Sequence, residues 1–505
     1  MEKNDTGQLP PENEKPGTSL SKSLFIRGRQ CHKSLWLQKH RPELKNELTC
    51  TQEAVFTLGH KVGNLAKGLF PGGVEVPYEG LSHEEQLELT REAIAKGTET
   101  IYEATFLHDG IFVKADILHH GRQGWELYEV KASTKVKDYH SDDAALQFHV
   151  LRGAGIDPAR VSIVHIDNSY IRTGDLDTHK LFSVADITSQ VKDLQAEISQ
   201  EIDSQRTMLR GGTPDIDIGP HCNNPYECDF TGYCRAHVPK DSIFDLSCRG
   251  MDKFSLYRQG FVRLEDIPLD KLNTSQRFQV ESTVMKRDTV NREGVRRFLD
   301  SLWHPLCFLD FETFMDPVPP FEGTRPYQQI PFQFSLHIER EPGAEIEHHG
   351  FLAEPGHDPR PELLDTLLHL IPEDACIIAW NQVFEIGVLR GLADAFPQHK
   401  ERIERMIANF RDLMAPFRAR TIYLWQAKGS YSIKKILPLL VPELGYEGMD
   451  IGDGGAAMDA WHTMNSKIDS EELERIRASL WEYCKLDTLA MVRILKKIKN
   501  IDNAR

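Results

Sequence analysis

Leu306-Cys307-Phe308-Leu309-Asp310-Phe311-Glu312-Thr313-Phe314 decides how the second half of the chain is read. The run is apolar except for Thr313 and two acids spaced two apart. A short apolar run of this kind reads as a buried strand. On a strand, residues two apart share a face, so Asp310 and Glu312 project together from a strand that otherwise belongs to a core. Paired carboxylates in such a place suit the capture of divalent cations.

Downstream, residues 332–338 and 346–351 read as strands, 361–371 as a helix, 376–381 as a buried strand and 383–396 as a helix. Three strands, a helix, a strand and helices predict an α/β domain. Trp380-Asn381-Gln382-Val383-Phe384-Glu385 sets an acid at a helix start, with Asn381 just before it. Tyr483-Cys484-Lys485-Leu486-Asp487 lies on a helix predicted over 471–499, where Tyr483 and Asp487 share a face. Together these segments resemble the motifs of the DnaQ-like 3′–5′ exonucleases, tyrosine (DEDDy) subtype, of the ribonuclease H-like fold. The resemblance covers nearly all of 301–505. It implies that Asp310, Glu312, Glu385 and Asp487 bind Mg²⁺ or Mn²⁺ and that Tyr483 orients the attacking water. Glu385 stands where that family usually has Asp, and Asp412 competes with it for the acidic role.

In the first half, 111–118 and 125–131 read as two strands of a hairpin around a Gly-containing turn. Glu129 and Lys131 then share a face, Val130 points into the core, and Asp116 approaches from the partner strand. A helix is expected from Ser141-Asp142-Asp143, with Gln147 one to two turns inside and Gly153 and Gly155 as its stop. A strand over 161–166 follows. His60 lies upstream in a segment, with Gly59 and Gly63, that reads as helical. The order His60, Asp116, Glu129-x-Lys131, Gln147 resembles the RecB-type branch of the PD-(D/E)xK nucleases, which have a restriction-endonuclease-like fold. The resemblance implies that Asp116 and Glu129 bind Mg²⁺ or Mn²⁺, that His60 ligates or orients the metal, that Lys131 is catalytic and that Gln147 supports the site. Glu103 reads equally as an additional acid or as an exposed strand-edge carboxylate.

Cys31 precedes these residues, and Cys222, Cys228 and Cys234 follow them in a loop rich in Asn, Pro and Gly. That loop follows a long amphipathic helix with Ile187, Val191, Leu194, Ile198 and Ile202 on one face and Gly211-Gly212 at its end. Four such cysteines suit zinc or an iron–sulfur cluster. The pattern resembles the iron–sulfur RecB-type nucleases, including the AddB nuclease domain and the CRISPR adaptation nucleases, and implies a [4Fe–4S] cluster stapling the ends of the domain. Those relatives usually have Cys-x2-Cys before the last Cys. Both gaps here are five residues, which keeps Zn²⁺ open as the alternative. Cys50, Cys248, Cys307, Cys376 and Cys484 are scattered and read as core residues.

The chain has 505 residues and a net charge of −16. That length predicts two domains plus connecting material. The charge argues against coating nucleic acid by bulk charge, but clustered carboxylates that hold cations are compatible with it. The basic groups Lys131, Lys135 and Lys137; Arg292, Arg296 and Arg297; and Arg493, Lys496, Lys497 and Lys499 read mainly as solvated faces. No apolar run approaches the roughly 20 residues of a membrane span, and no secretory h-region opens the chain. A cytoplasmic protein is expected.

The expected organisation is a disordered tail over 1–20, a RecB-type PD-(D/E)xK domain with its cysteine cluster over 21–240, a helical connector over 241–300 and a ribonuclease H-like exonuclease domain over 301–505. The connector is expected to hold helical signals at 254–259 and 264–267 and one charged helix over 275–298. As a whole the chain resembles uncharacterised bacterial proteins that fuse these two nuclease types. The implied activity is metal-dependent hydrolysis of DNA, at single strands or ends, in repair or defence. An RNA-processing exonuclease and a nucleic-acid-binding scaffold with one inactive site are the alternative readings. Nothing in the sequence identifies a protein partner.

Overall fold

The structure, a computed structural model, describes residues 19–47, 50–247, 251–466 and 468–503. Most of the expected tail, and Cys248, lie outside these residues, and the side chain of Cys50 is likewise not described. The chain is mixed α/β and divides into two compact units, one drawn mainly from residues up to His237 and one mainly from Val238 onward, with Ile171–Gly174 grouped with the second. No helix among the described residues is long and apolar enough to cross a membrane.

The first unit is built on a seven-stranded sheet. Its strands are β1 (Leu20–Ser21), β2 (Val74–Glu75), β3 (Thr100–His108), β4 (Ile111–Gly121), β5 (Gly124–Lys131), β6 (Arg160–Ile166) and β7 (Phe182–Asp186), in the order β2-β3-β4-β5-β6-β7 with β1 parallel to β4. Leu20, placed by the sequence at the end of the expected tail, is instead buried in β1. The β4–β5 hairpin forms as expected, and β6 runs parallel to β5 after an intervening helix, Asp138–Gly153. That helix starts before Ser141 because the His140 ring accepts the Lys137 N–H at 3.2 Å and caps the turn. Its Ala144, Ala145, Phe148 and Leu151 fill the core against Val113, Ala115 and Leu118 of β4.

Val113 and Ala115 share that core with Leu118, three residues on, so the in–out alternation of β4 slips at Asp116. Opposite it, Glu103 has φ 55°, the left-handed region that breaks a ladder. The slip brings Asp116 to the face that carries Leu127 and Glu129. Val130, expected in the core, is only half-buried; Glu129 is the buried member at 1% exposure. The amphipathic helix at 187–209 is two helices, Thr188–Asp193 and Gln195–Leu209, with its expected apolar residues on the core.

In the second unit, β8 (Thr289–Val290) pairs with β14 (Ile422–Tyr423). A five-stranded sheet runs in the order β11-β10-β9-β12-β13, from β9 (Leu306–Phe314), β10 (Ile330–Glu339), β11 (Glu347–Leu352), β12 (Cys376–Ala379) and β13 (Phe410–Asp412). β9 is antiparallel to β10 and parallel to β12. Alternation on β9 is clean. Cys307, Leu309 and Phe311 face a core shared with the helices Arg360–Leu370 and Val383–Ala395, while Leu306 and Phe308 face one shared with Met491 and Ile494 of the 34-residue helix Ser470–Asn503. Residues 241–300 group with this unit and carry a small core of Ile243, Leu246, Leu256, Leu264 and Val280. The single helix expected at 275–298 is instead Thr274–Val284 and Arg292–Leu299, because Lys286 turns left-handed and Asn291 caps the second helix by accepting the Gly294 N–H.

The helix Lys22–Gln30 sits so close to Gln205 that a Cβ on Gly28 would lie 2.3 Å from the Gln205 side chain. That side chain is fully buried and donates to Phe25 O at 2.9 Å. Gly28→Ala is therefore expected to destabilise the first unit by about 1–3 kcal/mol, read as an earlier urea transition; an unshifted midpoint would mean the helix backs away freely.

Candidate functional site

In the first unit, Asp116, Glu129, Lys131 and Gln147 come together. The Val130 N–H donates to Asp116 Oδ2 at 2.7 Å, Lys131 Nζ to Glu129 Oε1 at 2.6 Å, and Gln147 Nε2 to Glu129 Oε2 at 2.5 Å. Two residues not singled out in the sequence complete the cluster. Asp143 receives Lys131, and Lys22 Nζ lies 2.9 Å from Glu129 Oε1 and 3.5 Å from Asp143 Oδ1. Burial and then the Glu129 charge push Asp116 up to about 7. Burial would also raise Glu129, but Lys131 and Lys22 hold it below the ordinary carboxylate range. Burial opposes the charge on both lysines, yet Glu129 and Asp143 hold them above their ordinary value. Gln147 keeps a buried Oε1 without a partner, a free acceptor beside the acids.

His60 lies on the helix Cys50–Ala66 and is exposed, without a hydrogen bond to this cluster. Glu103 is half-buried and raised by burial, and Lys114 and Lys67 are the cations that act on it most. Asp143 was legible in principle, since it stands four residues before Gln147 on one helix face. Lys22 carried no such signal.

Cys31, Cys222, Cys228 and Cys234 line one cavity with Ser34, His221 and Phe230. All four thiols are free. Burial raises Cys31 and Cys234. The loop is tied to the helix Lys22–Gln30 by a two-pronged Arg27–Asp229 pair at 2.6 and 2.9 Å, and by Gln30 Nε2 donating to His221 O and Tyr226 O, each at 2.7 Å.

In the second unit, Asp310 and Glu312 leave β9 on the side of the helix Ser470–Asn503, which supplies Tyr483 and Asp487. The helix is fixed on the sheet by Gln333 Nε2 donating to Leu480 O at 2.9 Å and by the Ser335–Thr488 hydroxyl pair at 2.7 Å. β12 stops at Ala379 rather than at the expected 381, and Asn381 follows in a turn with φ 69° that leads into the helix carrying Glu385. Glu385 is 2% exposed with Oε2 unpartnered, and its charge acts on Asp310 and Glu312. Asp412 has its oxygens occupied. It accepts the Asn381 and Met414 N–H groups at 3.2 and 3.0 Å and pairs with Arg418 at 2.8 Å.

Burial, then Asp487, Glu312 and Glu385, lift Asp310 well above the usual range. Burial and Asp487 push Glu312 up to about 8; burial and the Asp412 charge push Glu385 up to about 8; burial lifts Asp487 to about 6 against the pull of Tyr446 and Lys434. Tyr446 donates to Asp487, and Lys434 Nζ donates to Tyr483 Oη at 3.2 Å. Neither Tyr446 nor Lys434 stood out in the sequence, because both come from a segment some 40 residues or more before Asp487 with no period or motif. Cys484, read as a core residue, is buried as expected. It also donates toward Asp310 Oδ2 at 4.0 Å. Asp310, Glu312 and Cys484 offer ligand atoms within 4.8 Å of one another, the sole such His/Cys/Asp/Glu trio among the described residues.

Residues 307–432 match the family model described as "Domain of unknown function (DUF2779)". The match takes in Asp310, Glu312 and Glu385 and stops before Lys434, Tyr483 and Asp487. No curated protein matches the chain.

These acids hold protons in the folded chain that the unfolded chain, with carboxylates near their ordinary value of about 4, has already released. Raising the pH strips them and leaves like charges buried together, so the contribution of this pocket to stability falls as pH rises from about 4 to 8. Buried histidines such as His140 and His337, held below their ordinary value, act in the opposite sense over part of that window, so the pocket is read as a difference. In EDTA, the melting midpoint of the natural sequence should fall relative to that of Asp310→Asn as pH rises, with Mn²⁺ reversing most of the difference at pH 8. A difference that stays constant over this window would contradict the site's electrostatics.

Proposed function

We propose that the protein is a metal-dependent nuclease with an active site in each unit, acting on DNA at single strands or ends. The observation that carries this reading is the gathering of Asp310 and Glu312 from β9, Glu385 from the helix Val383–Ala395 and Asp487 from the helix Ser470–Asn503 into one largely buried cluster beside Tyr483. Buried carboxylates repel unless a cation joins them, and Glu385, whose charge acts on Asp310 and Glu312, keeps a buried Oε2 without a partner. Divalent Mg²⁺ or Mn²⁺ bound there would supply Lewis acidity and an activated water. Tyr483, kept protonated by burial and the Asp487 charge, would hold that water by its hydroxyl. The strand order of the second unit and its long C-terminal helix suit a ribonuclease H-like exonuclease domain that trims from the 3′ end.

The hairpin, helix and parallel strand of the first unit suit a RecB-type PD-(D/E)xK domain. There Asp116 and Glu129 would hold the ion, Gln147 would fix Glu129, and Lys131 would stabilise charge on the phosphate. His60 would reach the site only if its helix turned it inward. The four cysteines suit a [4Fe–4S] cluster better than zinc. A single tetrahedral Zn²⁺ draws its sulfurs to roughly 3.8 Å, and no three of these thiols come within 4.8 Å of one another. A role in DNA repair or defence fits such a pairing.

Digestion of labelled DNA with Mn²⁺ tests the two sites. Lys131→Ala and Asp310→Ala should each remove one component of activity, by at least about 10²-fold, and the double variant should be silent; a fully active double variant refutes both assignments. Protein purified without air should be brown with a broad absorbance in the visible blue, lost in Cys31→Ser. A colourless protein carrying zinc would decide for the alternative metal.

A further inference from the structure

Lys434 occupies an unfavourable place for a cation. It lies in the first turn of the helix Ile433–Leu440, where the backbone dipole repels positive charge. Its ammonium is nevertheless fixed there. Nζ donates to Gly452 O at 2.6 Å and to Tyr483 Oη at 3.2 Å, and it lies 5.3 and 5.2 Å from the ring centres of Tyr446 and Tyr483. An ammonium has three N–H donors; two are used. Its field reaches Asp310, Glu312 and Asp487 together.

Two divalent cations would balance the four carboxylates of this pocket. The next acid, Asp453, is exposed and caps the helix Gly454–Met464 by accepting the Ala456 N–H, which leaves the ammonium of Lys434 with an unused N–H beside Tyr483. An anion belongs there. We propose that Lys434 is a substrate-contacting residue of the second-unit site, its third N–H binding a non-bridging oxygen of the scissile phosphate while its bond to Tyr483 orients that hydroxyl toward the attacking water. This rests on the exonuclease reading of the pocket. Methionine in its place would keep much of the apolar contact with both rings and lose only the charge and the donors.

The test uses the full chain carrying Lys131→Ala, so that trimming of a 5′-labelled single-stranded oligonucleotide with Mn²⁺ reports the second site. Lys434→Met should raise KM roughly 10- to 100-fold, the worth of one charge-assisted hydrogen bond, and Lys434→Arg should recover part of it. Oligonucleotide binding in Ca²⁺ should lose about 0.7 from the slope of log affinity against log salt, the signature of one lost phosphate contact on a single strand. Unchanged KM and salt slope overturn the proposal. So does a fall in kcat alone, which would confine Lys434 to positioning Tyr483. Circular dichroism checks folding, and Lys434→Gln serves if the methionine variant does not fold. Asp310→Asn is the control for the site itself: if it still trims, the exonuclease reading fails whatever Lys434 does.

Discussion

Like charges repel the more strongly the less water lies between them, and the second unit gathers Asp310, Glu312, Glu385 and Asp487 where there is little. Much else in that unit follows from holding these carboxylates together. β9 presents two of them on one face. The long C-terminal helix is fixed across that face by Gln333, Ser335 and Thr488, so that Asp487 cannot retreat. Asn381 adopts a left-handed turn to bring Glu385 in from β12. Apolar packing on both faces of the sheet supplies the stabilisation that offsets the repulsion.

The first unit meets the same constraint differently. Its acids Glu129 and Asp143 are already bridged by the ammonium groups of Lys22 and Lys131, while Asp116 accepts the Val130 N–H. A buried acid beside two lysines ionises readily, and Glu129 lies below its ordinary range, whereas its counterparts in the second unit lie above theirs. A divalent ion entering the first unit competes with lysine for Glu129; one entering the second relieves bare repulsion. Lys22 also opens the helix that leads directly to Cys31, so the position of this lysine and the order of the cysteine loop are mechanically linked within one helix.

Much of this was legible from local pattern. The hairpin that places Glu129 and Lys131, the apolar strand that places Asp310 and Glu312, and the four-residue spacing of Tyr483 and Asp487 each follow from a fixed periodicity. The boundaries were less legible where side chains override propensity. His140 capped a helix early, Lys286 and Asn291 divided one helix into two, and the slip at Glu103 and Asp116 turned Asp116 to the face of Leu127 and Glu129.

The sequence by itself determined which acids sit on which strand or helix face, because alternation and helical spacing are properties of neighbouring residues. Only the tertiary structure decided which charges accompany them. Lys22 is 107 residues from Glu129 and Lys434 is 49 from Tyr483, and no local period spans such distances. Their places are set by how whole helices dock on the sheets. The same docking decided between Glu385 and Asp412 as the acid with a free oxygen, since Asp412 is consumed by two backbone N–H groups and Arg418.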